Sequence, residues 1–147
     1  MTEINGATIY SDTFGVMYNT VSGILAGSLN GIYSFFPDVG KADFPGYPIC
    51  TIEGANVAKS RETLGSNYQT LNGVNVMVML HSKSMQSLDQ LSDKLVSGVQ
   101  ASNKGYSGTY VSGLRNFELT SSDVAHNNYG TDRVHTRAFG LNYEVWS

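Results

Sequence analysis

The positions of apolar and polar residues mark out most elements of the chain. From Phe14 the apolar residues are Phe14, Met17, Tyr18, Val21, Ile24, Leu25, Leu29, Ile32 and Tyr33, with gaps of mostly three and four. The spacing predicts one long helix from about Thr13 to Ser34, capped by Ser11 or Asp12 and stopped at Phe36-Pro37-Asp38. Ahead of it, Asn5-Gly6 signals a turn and Ala7 to Tyr10 a brief strand. Residues 37–48 hold all three prolines, with Gly40 and Gly46, and read as a loop of fixed path. Ile49 to Glu53 reads as a strand. Val74, Val76, Val78 and Leu80 alternate with Asn75, Met77, Met79 and His81, the strongest strand signal in the chain. Ser82 and Ser84 offer caps for a second helix, whose stripe is Met85, Leu88, Leu91, Leu95 and Val99, ending near Ser102. Leu114 to Leu119 is a further strand, Thr120 to Asp132 a polar loop. Val134 to Trp146 is a long closing strand with Phe139, Leu141, Tyr143 and Val145 on one face.

Between the strands Ile49 to Glu53 and Val74 to His81, Gly54 to Gly73 is polar and carries Lys59, Arg61 and Glu62. Twenty structureless residues are unusual inside a compact domain, so this stretch reads as a partly paired arm or a binding loop. Tyr68 to Leu71 would form its returning side. The element order indicates an α+β fold: an antiparallel or mixed β-sheet with helices packed on one face and an extended polar arm. No internal repeat or composition break divides residues 1–147, which read as one domain.

Composition narrows the function. Charged residues make up 14% of the 147, against about 25% in an average soluble domain. Nine Lys+Arg against twelve Asp+Glu leave a net charge of -3. That balance lacks the basic footprint by which proteins displace counterions from DNA. Nine Tyr, six Phe and one Trp argue against disorder. No basic and apolar leader opens the sequence, so no signal peptide is expected.

The search for chemistry returns little. His81, His126 and His135 show no metal-ligand spacing and read as ordinary solvent-facing or sheet-face histidines. Cys50, the single cysteine, lies in the apolar run Ile49-Cys50-Thr51-Ile52, where a buried, inert thiol is expected. No nucleophile elbow or phosphate-binding glycine motif occurs. The carboxylates are dispersed, and Asp89, Asp93 and Lys94 read as a solvated helix face. No catalytic residue, cofactor or metal is therefore expected. Gly23, Gly27 and Gly31, spaced four apart on the expected first helix, make either a smooth strip for close approach of another backbone or a loosely specified surface. A membrane reading of this pattern fails, because Asn19, Thr20, Ser22, Ser28 and Asn30 interrupt any long apolar run. Tyrosines at 47, 68, 106, 110 and 129 suit protein interfaces or stacking on sugars.

The order of elements resembles the tail terminator (tail completion) proteins of long-tailed bacterial viruses. The resemblance spans about residues 12–147. It rests on the long first helix, the proline loop, the polar arm, the apolar strand Val74 to His81, the helix beginning Ser84-Met85-Gln86-Ser87-Leu88, and the closing strand Arg133 to Trp146. It implies a non-enzymatic virion protein that forms a ring, usually a hexamer, on the end of the tail tube and joins it to the neck and head. It implies as partners other copies of the chain, the tail tube protein and a head-completion protein. DNA would pass through the lumen without sequence-specific recognition, and no membrane would be engaged. Location would be the head–tail junction of the virion, and the host cytoplasm during assembly. By analogy, Arg61, Glu62 and Tyr68 on the arm would contact the tube or a neighbour, and Arg133 and Arg137 would form ion pairs between subunits. Gly23 and Gly27 join these as interface candidates on steric grounds. The alternative is a small, aromatic-rich, glycan- or protein-binding module without catalysis.

Overall fold

In the computed structural model, residues 9–62, 70–103, 115–129 and 132–146 are described. The elements run α1 (Ile9–Ile24), β1 (Ile32–Tyr33), β2 (Ile49–Glu62), β3 (Thr70–Ser82), α2 (Met85–Asn103), β4 (Arg115–Ser121), β5 (Ala125–Tyr129) and β6 (Asp132–Trp146). The strands form one six-stranded sheet in the order β1-β2-β3-β6-β4, with β5 also paired to β6. Only the two-residue β1 is parallel to its neighbour; the other pairings are antiparallel. The fold is α+β, as the element pattern indicates.

Both helices lie on one face of the sheet. The pairings Cys50↔Leu80, Ile52↔Val78, Val78↔Phe139 and Val76↔Leu141 put these residues on a common side. All are buried, together with Val16, Met17 and Val21 of α1, Leu25 just after it, and Leu88, Leu91, Leu95 and Val99 of α2. Each such side chain contributes about 1.5–3 kcal/mol by leaving water, which is why the alternation in β3 and the stripe in α2 specify the same core. The helices meet where Gly98 faces Ile24; a Cβ on Gly98 would fall 2.6 Å from Ile24 Cγ2. The close approach of α1 thus uses a glycine of α2 and not the strip expected on α1.

The first helix is shorter than its sequence pattern suggests. It starts at Ile9, so Ile9 and Tyr10 are helical, not strand, and Ser11 and Asp12 lie inside it. It ends at Ile24. The backbone then turns through Gly27 at φ +74°, a left-handed conformation that stops a helix cheaply only at glycine. Leu29 and Ile32 still pack on the core, but from the turn and from β1, where Ile32↔Cys50 and Tyr33↔Thr51 pair. The stripe continues in burial while the helix does not. Its buried side also turns away from Phe14 and Tyr18, which are 36% and 41% exposed.

The proline loop is tied down by one side chain. Asn30 Nδ2 donates to the carbonyls of Gly46 and Tyr47 at 3.2 and 3.0 Å, and Asn30 N–H donates to Pro48 O at 2.8 Å. The Tyr47–Pro48 bond is cis. At the start of α2, Ser84 Oγ accepts the N–H of Ser87, the expected cap. The polar stretch expected as a loop after Thr120 contains β5, whose residues 125–128 are exposed. An edge strand with no buried face carries no alternation, and backbone pairing to β6 alone defines it.

Candidate interface surfaces

The polar arm is the outer half of the β2–β3 hairpin. Its pairing continues to Glu62↔Thr70, with irregularities between Glu53 and Asn56 and between Lys59 and Arg61. Because β6 pairs with β3 out to Leu71↔Trp146, the arm is three strands wide. Arg61 and Glu62 close β2 at its tip. Tyr68 lies outside the described residues, as do Tyr106 and Tyr110. Beside β2, strand β1 pairs with Cys50 and Thr51; among the described residues, no other strand pairs with the outer edge of β2 beyond them.

The remaining candidates are spread over the molecule. Arg133 is exposed on β6. Arg137 is engaged within the chain: Nη1 donates to Ser92 Oγ at 2.8 Å and Nη2 pairs with Asp89 at 3.1 Å, tying β6 to α2. Asp89 is accordingly part of a helix–sheet tie as well as of a solvated face. Gly23 is exposed near the end of α1, and Gly27 sits in the turn that follows. The four-residue glycine spacing therefore does not form a strip on one helix. Tyr47 is half-buried, with its ring edge-on to Phe44 at 5.2 Å.

Other surfaces stand out only in three dimensions. Phe14 and Tyr18 form a ring pair 6.1 Å apart on the outer side of α1. Phe35 is 68% exposed just after β1. On the sheet face away from the helices, Met77 is 44% exposed, and Glu53, opposite it in β2, is also exposed. An open cleft of about 560 Å³ runs between α2 and the β4–β5 junction, lined by Ser92, Asp93, Ser122, Asp123, Arg137 and Phe139 among others. Helical and strand periodicity could not reveal these, since an apolar residue reads the same whether a neighbouring element covers it or not.

Potentially reactive groups are placed as follows. Cys50 is fully buried, and burial pushes its thiol up to about 12, so it stays protonated and unreactive at neutral pH. His81 is buried on the face opposite the core. Its Nε2 lies 2.9 Å from Thr51 Oγ1 and its Nδ1 2.8 Å from Thr136 Oγ1, joining β2, β3 and β6. The Phe36 ring packs edge-on against it at 5.0 Å. Burial holds its imidazole down at about 4, so it is neutral at pH 7. His126 and His135 face each other across β5 and β6. Among the described residues, no three His, Cys, Asp or Glu side chains converge as a metal site, and no helix is long and apolar enough to cross a membrane.

No protein-family model matches the chain, and no curated protein is similar to it. Among solved structures, a chain from the virion of a native gene transfer agent particle is similar over 84% of this chain and 84% of its own, with 8% identity and a TM-score of 0.42. That degree of likeness carries no inference about function.

Proposed function

We propose that this chain is a non-enzymatic structural protein of a virus particle. In this reading residues 1–147 are one domain, and several copies close into a ring, a hexamer, that caps the tail tube and joins it to the neck and head. Its partners are its own copies, the tail tube protein and a head-completion protein, and it acts at the head–tail junction. The observation that carries the reading is the uneven covering of the sheet: both helices lie on one face, while on the other face Met77 is exposed and, among the described residues, the outer edge of β2 is paired only at Cys50 and Thr51. Surfaces of that kind are what a subunit with neighbours presents. The order of elements, with a long paired arm between the apolar strands, supports the same reading through its resemblance to tail terminator proteins. On this view Arg61 and Glu62 at the arm tip and Arg133 on β6 meet neighbouring subunits or the tube.

Native mass spectrometry of the purified chain, alone and bound to tail tubes, tests the proposal. A closed ring, six copies in the hexameric case, is expected in at least the tube-bound preparation. A strictly monomeric species in both overturns it.

A further inference from the structure

His126 and His135 are directly opposite one another in the β5–β6 pairing, three rungs from the closing pair Tyr129↔Asp132. Residues directly opposite in an antiparallel pair project from the same side of the sheet. Their Nδ1 atoms are 2.5 Å apart, with the rings edge-on at 83° and centroids 4.7 Å apart. Two bare imidazole nitrogens repel at that distance. One must present an N–H that the other accepts, so an N–H···N hydrogen bond holds the arrangement together. A metal ion can take the place of that proton.

We propose that His126 and His135 form a two-nitrogen binding site for a borderline divalent transition-metal ion, with zinc as the type case. Zinc–nitrogen bonds are about 2.0–2.1 Å, and a tetrahedral angle between two of them separates the nitrogens by about 3.3 Å. The two Nδ1 atoms need to part by less than 1 Å, which rotation of the exposed His126 ring supplies. Imidazole suits zinc, copper and nickel over magnesium or calcium. The β5–β6 pairing runs on to Tyr129↔Asp132, so the ligands are preorganised by nearby backbone pairing rather than by distant packing. Water fills the remaining coordination positions on the open side of the pair. The neighbouring charges are Arg133, two residues before His135, and the Lys83–Asp132 ion pair at 3.2 Å. Asp132 offsets Lys83, and Arg137, two residues after His135, is paired with Asp89. Bound metal would pin β5, the shortest of the antiparallel strands, to β6.

The chain contains three histidines in all, and both ring nitrogens of His81 are occupied by threonine hydroxyls. Histidine-dependent metal binding therefore reports on this pair. Titration of the full chain with ZnCl2 at pH 7.5 by calorimetry should give one ion per chain. His126→Ala and His135→Ala should each weaken it at least about tenfold, the lower end of what even an outer-shell loss costs a metal site. Zinc should raise the melting temperature of the wild-type chain, since it binds the folded form, and leave that of the double variant unchanged. Electron paramagnetic resonance of the Cu²⁺-loaded wild-type chain should show two nitrogen ligands, a readout that does not depend on any variant folding. Absence of one-to-one zinc binding, equal zinc binding by wild type and double variant, or a copper spectrum without nitrogen coupling overturns the proposal. None of these outcomes depends on the ring assembly.

Discussion

On the helix side of the sheet, Val74, Val76, Val78 and Leu80 are all buried, whereas on the reverse side their neighbours run from Met77 at 44% exposure to His81 at 3%. The same three central strands supply both faces. One face is sealed along its length by α1 and α2 with aliphatic side chains. The other is graded. At one end Thr51, His81 and Thr136 form a buried polar row with Phe36 against the histidine. At the other, Met77 and Glu53 meet solvent. The difference teaches that strand alternation assigns residues to faces but does not say how deeply each face is buried. That depends on which non-strand segments cross it.

The largest effect should come from the sealed face. Phe139 is 1% exposed and paired with Val78 in the centre of the sheet. Phe139→Ala should cost about 3–5 kcal/mol in urea unfolding. A loss below 1 kcal/mol would mean that the helix-side face is not the main core.

Next comes the polar end of the reverse face. The imidazole of His81 sits at about 4 when folded, below its ordinary 6.5. The fold therefore favours the neutral ring. Its full contribution is present above about pH 6.5 and is lost as pH falls toward 4, where the unfolded chain binds the proton more readily. That preference corresponds to about 3 kcal/mol. Urea midpoints measured from pH 7.5 down to pH 4 should fall in the wild type and fall less steeply in His81→Gln. Parallel profiles for the two proteins would show that His81 titrates normally.

The smallest effect on stability, and the sharpest on assembly, should come from the open end. Met77→Lys changes a half-exposed residue with no helix above it. It should leave the unfolding free energy within about 0.5 kcal/mol while abolishing the oligomer that the proposed function expects in native mass spectrometry. An intact oligomer would move the interface elsewhere, to the Phe14–Tyr18 ridge or the edge of β2.

Legibility in the sequence followed the physical source of each element. The strand Val74 to His81 and the helix from Met85 were readable because one face of each is buried, and burial writes a period of two or of 3.6. Strand β5 was not readable: His126, Asn127 and Asn128 are exposed and are held by backbone bonds to β6, which impose no side-chain pattern. Helix α1 departs from its sequence pattern for the opposite reason. Leu29 and Ile32 keep the helical spacing and keep their burial, yet Gly27 has already turned the chain. Of the interface candidates, Arg61 and Glu62 fell at the tip of a paired arm, whereas Arg137 proved to be bound to Asp89 and Ser92 of its own chain.

What the sequence by itself determined is the class of fold and its core: two apolar stripes and the alternating strands suffice to place helices over one side of a sheet, because desolvation acts on every residue of a buried face. It also determined that Cys50 lies in an apolar strand. Only the tertiary structure decided where the first helix stops, that His81 is held neutral between two threonines contributed by other strands, and that His126 and His135 stand nitrogen to nitrogen. Those outcomes depend on which segments become neighbours across the sheet. The His81 bonds join residues 30 and 55 positions away, and no local pattern records such contacts.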